Sequence, residues 1–194
     1  MQLSHFWTTD AFTSLPVIIA VWFATRVLDD GGWGNYAGFG LALGAAVASR
    51  INVAPLAVVL ALATLVRLWP VFESRYPQPQ RDRLLSREVG GLILAGAIAF
   101  LTFRVAQPYA FDFPGVLGIL LPNNPQWWQN MGEAQRLVSG QVDFPPNHQW
   151  AARIPYVFAW WNMVMWGMGL PLGLLAWGGW AWAGFRILRG RPGW

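Results

Sequence analysis

Four charged side chains in this 194-residue chain combine a reactive type with an unusual setting. They are Asp10 in SHFWTTDAF, Arg50 in ASRINVAPL, Arg104 in FRVAQPYAF and Arg153 in NHQWAAR. A guanidinium beside hydrocarbon is costly unless it is paired, solvated or bound to an anion. Its planar fork grips a phosphate with two parallel hydrogen bonds, which Lys does not do. Arg50, Arg104 and Arg153 are therefore candidate phosphate ligands, and snorkelling to lipid headgroups is the plainer alternative for each. Asp10 fits a helix start, where a carboxylate favours the macrodipole. The same carboxylate could instead hold a sugar hydroxyl, a metal ion or the proton of an attacking group. His5 lies nearby, but one His and one Asp make a weak metal pattern, so no metal-ligand set can be named.

A second set lies in residues 123–153, NNPQWWQNMGEAQRLVSGQVDFPPNHQWAAR. Trp128, Met131, Gln135 and Val138 recur at helical spacing, and Gly140 closes the run as a helix C-terminus would. An amphipathic helix on a membrane surface accounts for this half, since Trp favours such interfaces. The second half turns on Pro145 and Pro146 and concentrates Asp143, Asn147, His148, Gln149, Trp150 and Arg153. Carbohydrate sites use such groups: polar side chains for hydroxyls and aromatic faces for the apolar side of a pyranose. Trp127, Asp143, His148, Gln149 and Trp150 are the candidate sugar or acceptor contacts. A structural lid packed on the helices is the competing reading.

The elements that must position these groups are apolar. Hydrophobic residues make up 55% of the chain and charged residues 11%, with 14 Trp, which points to an all-α polytopic membrane bundle. Every one of the 13 basic residues is Arg, and a net charge of +4 is too small and scattered for nucleic-acid binding. With no Cys there is no disulfide framework, thiolate site or cysteine nucleophile. The N-terminal MQLSHFWTTD lacks the basic region and cleavage site of a signal peptide.

About five spans are expected. The first covers residues 11–29. Residues 35–49, rich in Gly and Ala, and 53–69 form a helical hairpin with a polar tip at Arg50. Residues 70–88 read as an Arg-rich loop, and a fourth span follows over about 89–105. Residues 107–155 form an outward loop. Beyond it, 156–166 reads as an interfacial or re-entrant piece, and 169–188, after the break at GMGLP, as the last span. The chain thus divides into 1–106, 107–155 and 156–194. This arrangement puts Arg26, Arg67, Arg75, Arg81, Arg83, Arg87, Arg186, Arg189 and Arg191 on one side, and Arg50, Arg104, Arg136 and Arg153 on the other. The positive-inside rule makes the first side cytoplasmic and the 107–155 loop extracytoplasmic, in a multi-pass protein of the cell membrane.

Taken together, SHFWTTDAFTSLPV, GFGLALGAAVASRINVAPL, FRVAQPYAF, NPQWW with GQVDFPPNHQWAAR, and WGMGLPLG resemble the multispan glycosyltransferases of the GT-C type. Within that group the chain looks closest to the phospholipid-carrier-dependent relatives of the protein mannosyltransferases and aminoarabinose transferases, and to the hydrophobic YYY-domain membrane proteins. The resemblance implies transfer of a sugar from a polyprenyl-phosphate carrier to an acceptor on the outer face, often helped by a divalent cation. It also implies that this is an internal part of a longer chain, with the family's main catalytic carboxylate in a segment before Met1. Asp10 then matches the later T-D-x-F aspartate, a supporting residue. Arg50 matches the basic position after the small-residue helix, and Arg104 the R-x-x-Q-P-Y position.

Two other classes compete with the enzyme reading. A transporter or channel subunit could line a path with the small-residue hairpin and the broken helix at GMGLP, although no ionisable residue is expected mid-span. A non-catalytic membrane scaffold with an interfacial loop is the other.

Overall fold

The computed structural model describes residues 9–72, 77–111, 118, 120–139, 141, 153, 154 and 156–189, and the regular structure among them is helical. The expected contacts Asp143, His148, Gln149 and Trp150, and His5, lie outside the described residues. The chain divides into two compact units, Met1–Met131 and Gly132–Trp194.

In the first unit, α1 spans Thr9–Asp30 and α2 spans Trp33–Ser49. The turn between them is forced by Gly31, whose φ of +58° is a left-handed conformation costly to any residue with a Cβ. Its N–H caps α1 by donating to the Val27 carbonyl at 3.1 Å. Asp30 Oδ1 then accepts from the Gly32 N–H at 2.8 Å and from Asn35 Nδ2 at 2.6 Å, tying the turn to the first turn of α2. At the far end of α2 the chain leaves the helix at an extended Arg50, and a 3-10 turn, Ile51–Leu56, contains Pro55 and leads into α3, Ala57–Phe72.

Next comes α4, Gln78–Ala106, whose 29 residues make a rod about 43 Å long. Its extent corrects the expected loop at 70–88. Residues 70–72 finish α3, and residues 78–88 are the first turns of α4. Pro79 is tolerated there because first-turn N–H groups have no helical partner, and the Arg, Leu and Glu residues that follow are good helix formers.

The packing is inverted relative to a water-soluble bundle. Ala20, Ala24, Ala42, Ala63 and Ala95 fill the core with Val27, Tyr36, Phe39 and Leu60, while Ile18, Trp22, Leu62, Val66, Trp69, Ile93 and Leu101 face outward. Where α2 crosses α4, a Cβ on Gly40 or Gly44 would fall 2.4 Å from the carbonyl oxygen of Ala95 or Ala99. Only glycine allows this approach.

Helix α5, Pro125–Val138, is the expected amphipathic helix. In the second unit, α6 (Val157–Asn162) continues into a π-turn at Met163–Gly167, and α7 (Leu170–Leu188) starts after Gly169, whose φ is +76°. The break expected at GMGLP is therefore present, and Val164 packs against Gly173 just beyond it.

Among the described residues, three stretches are long and apolar enough to cross a membrane: Phe12–Asp30, Ile51–Phe72 and Gln78–Ala106. Helix α2, with 17 residues, and the Gly- and Trp-rich α7 are not among them.

Candidate functional site

The level of each charged residue follows from helix register. Phe23 lies against Gly38, and Asn35 Nδ2 donates to the Arg26 carbonyl at 3.5 Å, so α1 and α2 are antiparallel. Tyr36 meets Gly91, Gly40 meets Ala95 and Gly44 meets Ala99, so α2 and α4 run parallel and advance together turn by turn. Little more than one further turn brings Ser49 and Arg50 level with Arg104 and Val105. Run backward, the α1–α2 register brings the first turn of α1, with Asp10, level with residues 50 and 51. Asp10, Arg50 and Arg104 thus share one end of the helices, and Arg26, Arg67, Arg81, Arg83 and Arg87 belong to the opposite end.

Arg50 is exposed at the end of α2, whereas Arg104 is half-buried. The Arg104 guanidinium lies over the Phe111 ring, 4.7 Å from its centre. Phe111 ends the 3-10 turn Pro108–Phe111 and packs with Ala110, Phe103, Trp127 and Met131. Asn124 locks α5 onto this cluster. Its Nδ2 donates to the Tyr109 carbonyl at 2.7 Å and its N–H to the Ala110 carbonyl at 3.2 Å. Its Oδ1 accepts from the N–H groups of Gln126 at 2.9 Å and Trp127 at 3.4 Å, the bonds of a helix N-cap. Tyr109 Oη adds a bond to Gln126 Oε1 at 3.2 Å.

This geometry corrects the role expected of Trp127. Only 4% of its surface is exposed, and its ring stands edge to face with Phe103 and Trp128, leaving no open face for a sugar. The exposed neighbour is Trp128, 55% accessible, with Nε1 donating to the Pro122 carbonyl at 2.7 Å. Arg153 belongs to the second unit and stacks on Phe158 at 4.7 Å.

The opposite end carries a polar cluster that the sequence reading missed. Glu88, assigned there to a loop, is buried inside α4 with 1% exposure. Arg67 Nε donates to its Oε1 at 3.1 Å, and the Tyr36 hydroxyl donates to its Oε2 at 2.5 Å. With the Tyr36 proton committed to Glu88, the Thr64 hydroxyl, 3.1 Å away, is the donor to Tyr36 Oη. Arg67 also caps α1, donating from Nη1 to the carbonyls of Leu28 at 3.2 Å and Asp29 at 3.1 Å, and from Nη2 to that of Asp30 at 2.9 Å. Arg87 Nη2 reaches the Gly31 carbonyl at 3.2 Å. One Arg thus neutralises a buried carboxylate and satisfies three orphan carbonyls of a helix end. A groove of about 420 Å³ opens beside the pair, walled by Leu28, Val66, Pro70, Val71 and Leu84. Arg67 and Glu88 are opposite charges on consecutive helices, Arg67 near the end of α3 and Glu88 within the first three turns of α4. Reading 78–88 as helix would have revealed that signal.

No group of three or more His, Asp or Glu able to hold a metal ion occurs among the described residues, so they supply no ligand cluster for the expected divalent cation. Compared with family models, with curated proteins and with solved structures, the chain matches none.

Proposed function

We propose that this chain is a membrane-embedded part of a glycosyltransferase that moves a sugar from a polyprenyl-phosphate carrier to an acceptor on the outer face of the cell membrane. The observation that carries the reading is the common level of Asp10, Arg50 and Arg104 at one end of the helices. Membrane insertion is supported by the small-inside, large-outside packing, which would leave an intolerable apolar surface in water. In this reading α2 crosses together with α1 and α4, α7 supplies a fifth span, and the Arg67 end is cytoplasmic. The 107–155 loop is then extracytoplasmic.

Arg50 and Arg104 would hold the carrier phosphate and stabilise the negative charge that builds on it as the glycosidic bond breaks. Asp10 would support the acceptor hydroxyl or its proton. A divalent cation would add further charge neutralisation at the phosphate.

The test uses the full-length protein in detergent with radiolabelled polyprenyl-phosphate sugars. Transfer of label that falls when Arg50 or Arg104 is replaced by Ala supports the proposal. Label remaining wholly on the carrier, with a range of acceptors present, refutes it. The burial of Trp127 and Phe111 favours a second reading, a non-catalytic scaffold whose Trp-rich stretch serves packing. That reading predicts no carrier binding at all.

A further inference from the structure

Arg104 is one of four arginines stacked on aromatic rings among the described residues, with Arg26 over Trp22 at 5.5 Å, Arg153 over Phe158 at 4.7 Å and Arg189 over Phe185 at 4.2 Å. The ring beneath Arg104 differs from the others in burial. Trp22 and Phe185 are 53% and 46% exposed and Phe158 is partly exposed, whereas Phe111 is 3% exposed. Phe111 is also held edge to face by Phe100 at 5.8 Å and by Phe103 at 5.6 Å, and Phe103 is held in turn by Trp127 at 6.3 Å. Asn124 fixes the backbone of the same turn through the carbonyls of Tyr109 and Ala110.

We propose that Phe111 is a positioning residue that orients the Arg104 guanidinium toward a lipid-linked phosphate, an inference that rests on the transferase reading above. A ring under the guanidinium carbon attracts the cation through its face and offers no oxygen acceptor of the kind a phosphate supplies. The contact therefore restrains where the guanidinium sits. A long side chain held this way loses less rotamer freedom on binding. The first turns of the Trp-rich stretch then act through Trp127, Phe103 and Phe111, as a buttress for Arg104.

The experiment measures binding of tritiated polyprenyl phosphate to the full chain in detergent. The variants are Phe111→Met, which keeps bulk and removes the ring, Phe111→Tyr, which keeps the ring, and each of these combined with Arg104→Ala. Phe111→Leu replaces Phe111→Met if the latter fails to fold. The expected result is roughly tenfold weaker binding for Phe111→Met, binding within about twofold of wild type for Phe111→Tyr, and no further effect of Phe111→Met once Arg104 is Ala. Undiminished binding by Phe111→Met, or an equal loss in the Arg104→Ala background, overturns the positioning role while the clamp stands. Wild-type binding that Arg104→Ala leaves unchanged overturns the clamp itself and the inference with it. Inorganic phosphate and phosphatidylglycerol vesicles serve as competitors, and displacement by either as effective as by unlabelled polyprenyl phosphate overturns the assignment to the carrier.

Discussion

Nε of Arg67 on α3 donates to Oε1 of Glu88 on α4 at 3.1 Å, and the Arg67 guanidinium also reaches the carbonyls that end α1. With the Tyr36 hydroxyl on the other carboxylate oxygen, this pair binds all four long helices of the first unit at one level. A buried charge that loses its partner is penalised far more than a pair that is replaced as a unit.

Arg67→Ala or Glu88→Ala should therefore destabilise the folded chain by about 3–5 kcal/mol. The joint replacement Arg67→Met with Glu88→Leu should recover part of that loss. Thermal unfolding in detergent with a double-mutant cycle measures both, and simple additivity would show that the pair is not coupled.

Gly31 stands where the backbone is left-handed and where a Cβ would lie 2.4 Å from Arg67 Nε and 2.7 Å from Glu88 Oε1. Gly31→Ala should cost about 1–2 kcal/mol for the backbone alone, with a further loss as Arg67 is displaced. In an Arg67→Ala background the steric part should shrink to the contact with Glu88 Oε1, so the two changes should combine to less than their sum.

Trp127 and Trp128 are neighbours with opposite environments, 4% and 55% exposed. Trp127→Ala should cost about 3–5 kcal/mol by opening a cavity among Phe103, Phe111 and Met131, and Trp128→Ala much less. Equal effects in the same unfolding assay would contradict the described cluster.

Asn124→Ala removes the cap of α5 and the bond to the Tyr109 carbonyl together. A loss of about 1–2 kcal/mol is expected, with faster hydrogen exchange confined to the first turn of α5. Exchange unchanged at Gln126 and Trp127 would show that the cap is not needed.

Periodicity and small-residue content made α1, α2, α5 and the break before Leu170 legible in the sequence. The common level of Arg50 and Arg104 was legible too, because alternating spans put segment ends on predictable sides. The start of α4 was hidden because Pro and Gln imitate a loop, while the permissive first turn of a helix accepts both. Losing those turns also lost Glu88, whose partners Arg67 and Tyr36 lie far away in the chain and meet it only through the hairpin. Trp127 was misjudged for a related reason: a Trp-Trp pair on a helix puts its rings on different sides, and composition alone does not say which one faces inward.

The glycine crossing of α2 on α4 bears on how this chain can diverge. Because the carbonyls of Ala95 and Ala99 occupy the space that side chains on Gly40 and Gly44 would need, even a single methyl there forces the two backbones apart. The outward Ile18, Leu62 and Ile93 meet no such barrier and can be exchanged among bulky apolar types. Variation among descendants should therefore concentrate on the periphery and spare the smallest residues at the centre, so that the positions with the least side chain record the architecture longest.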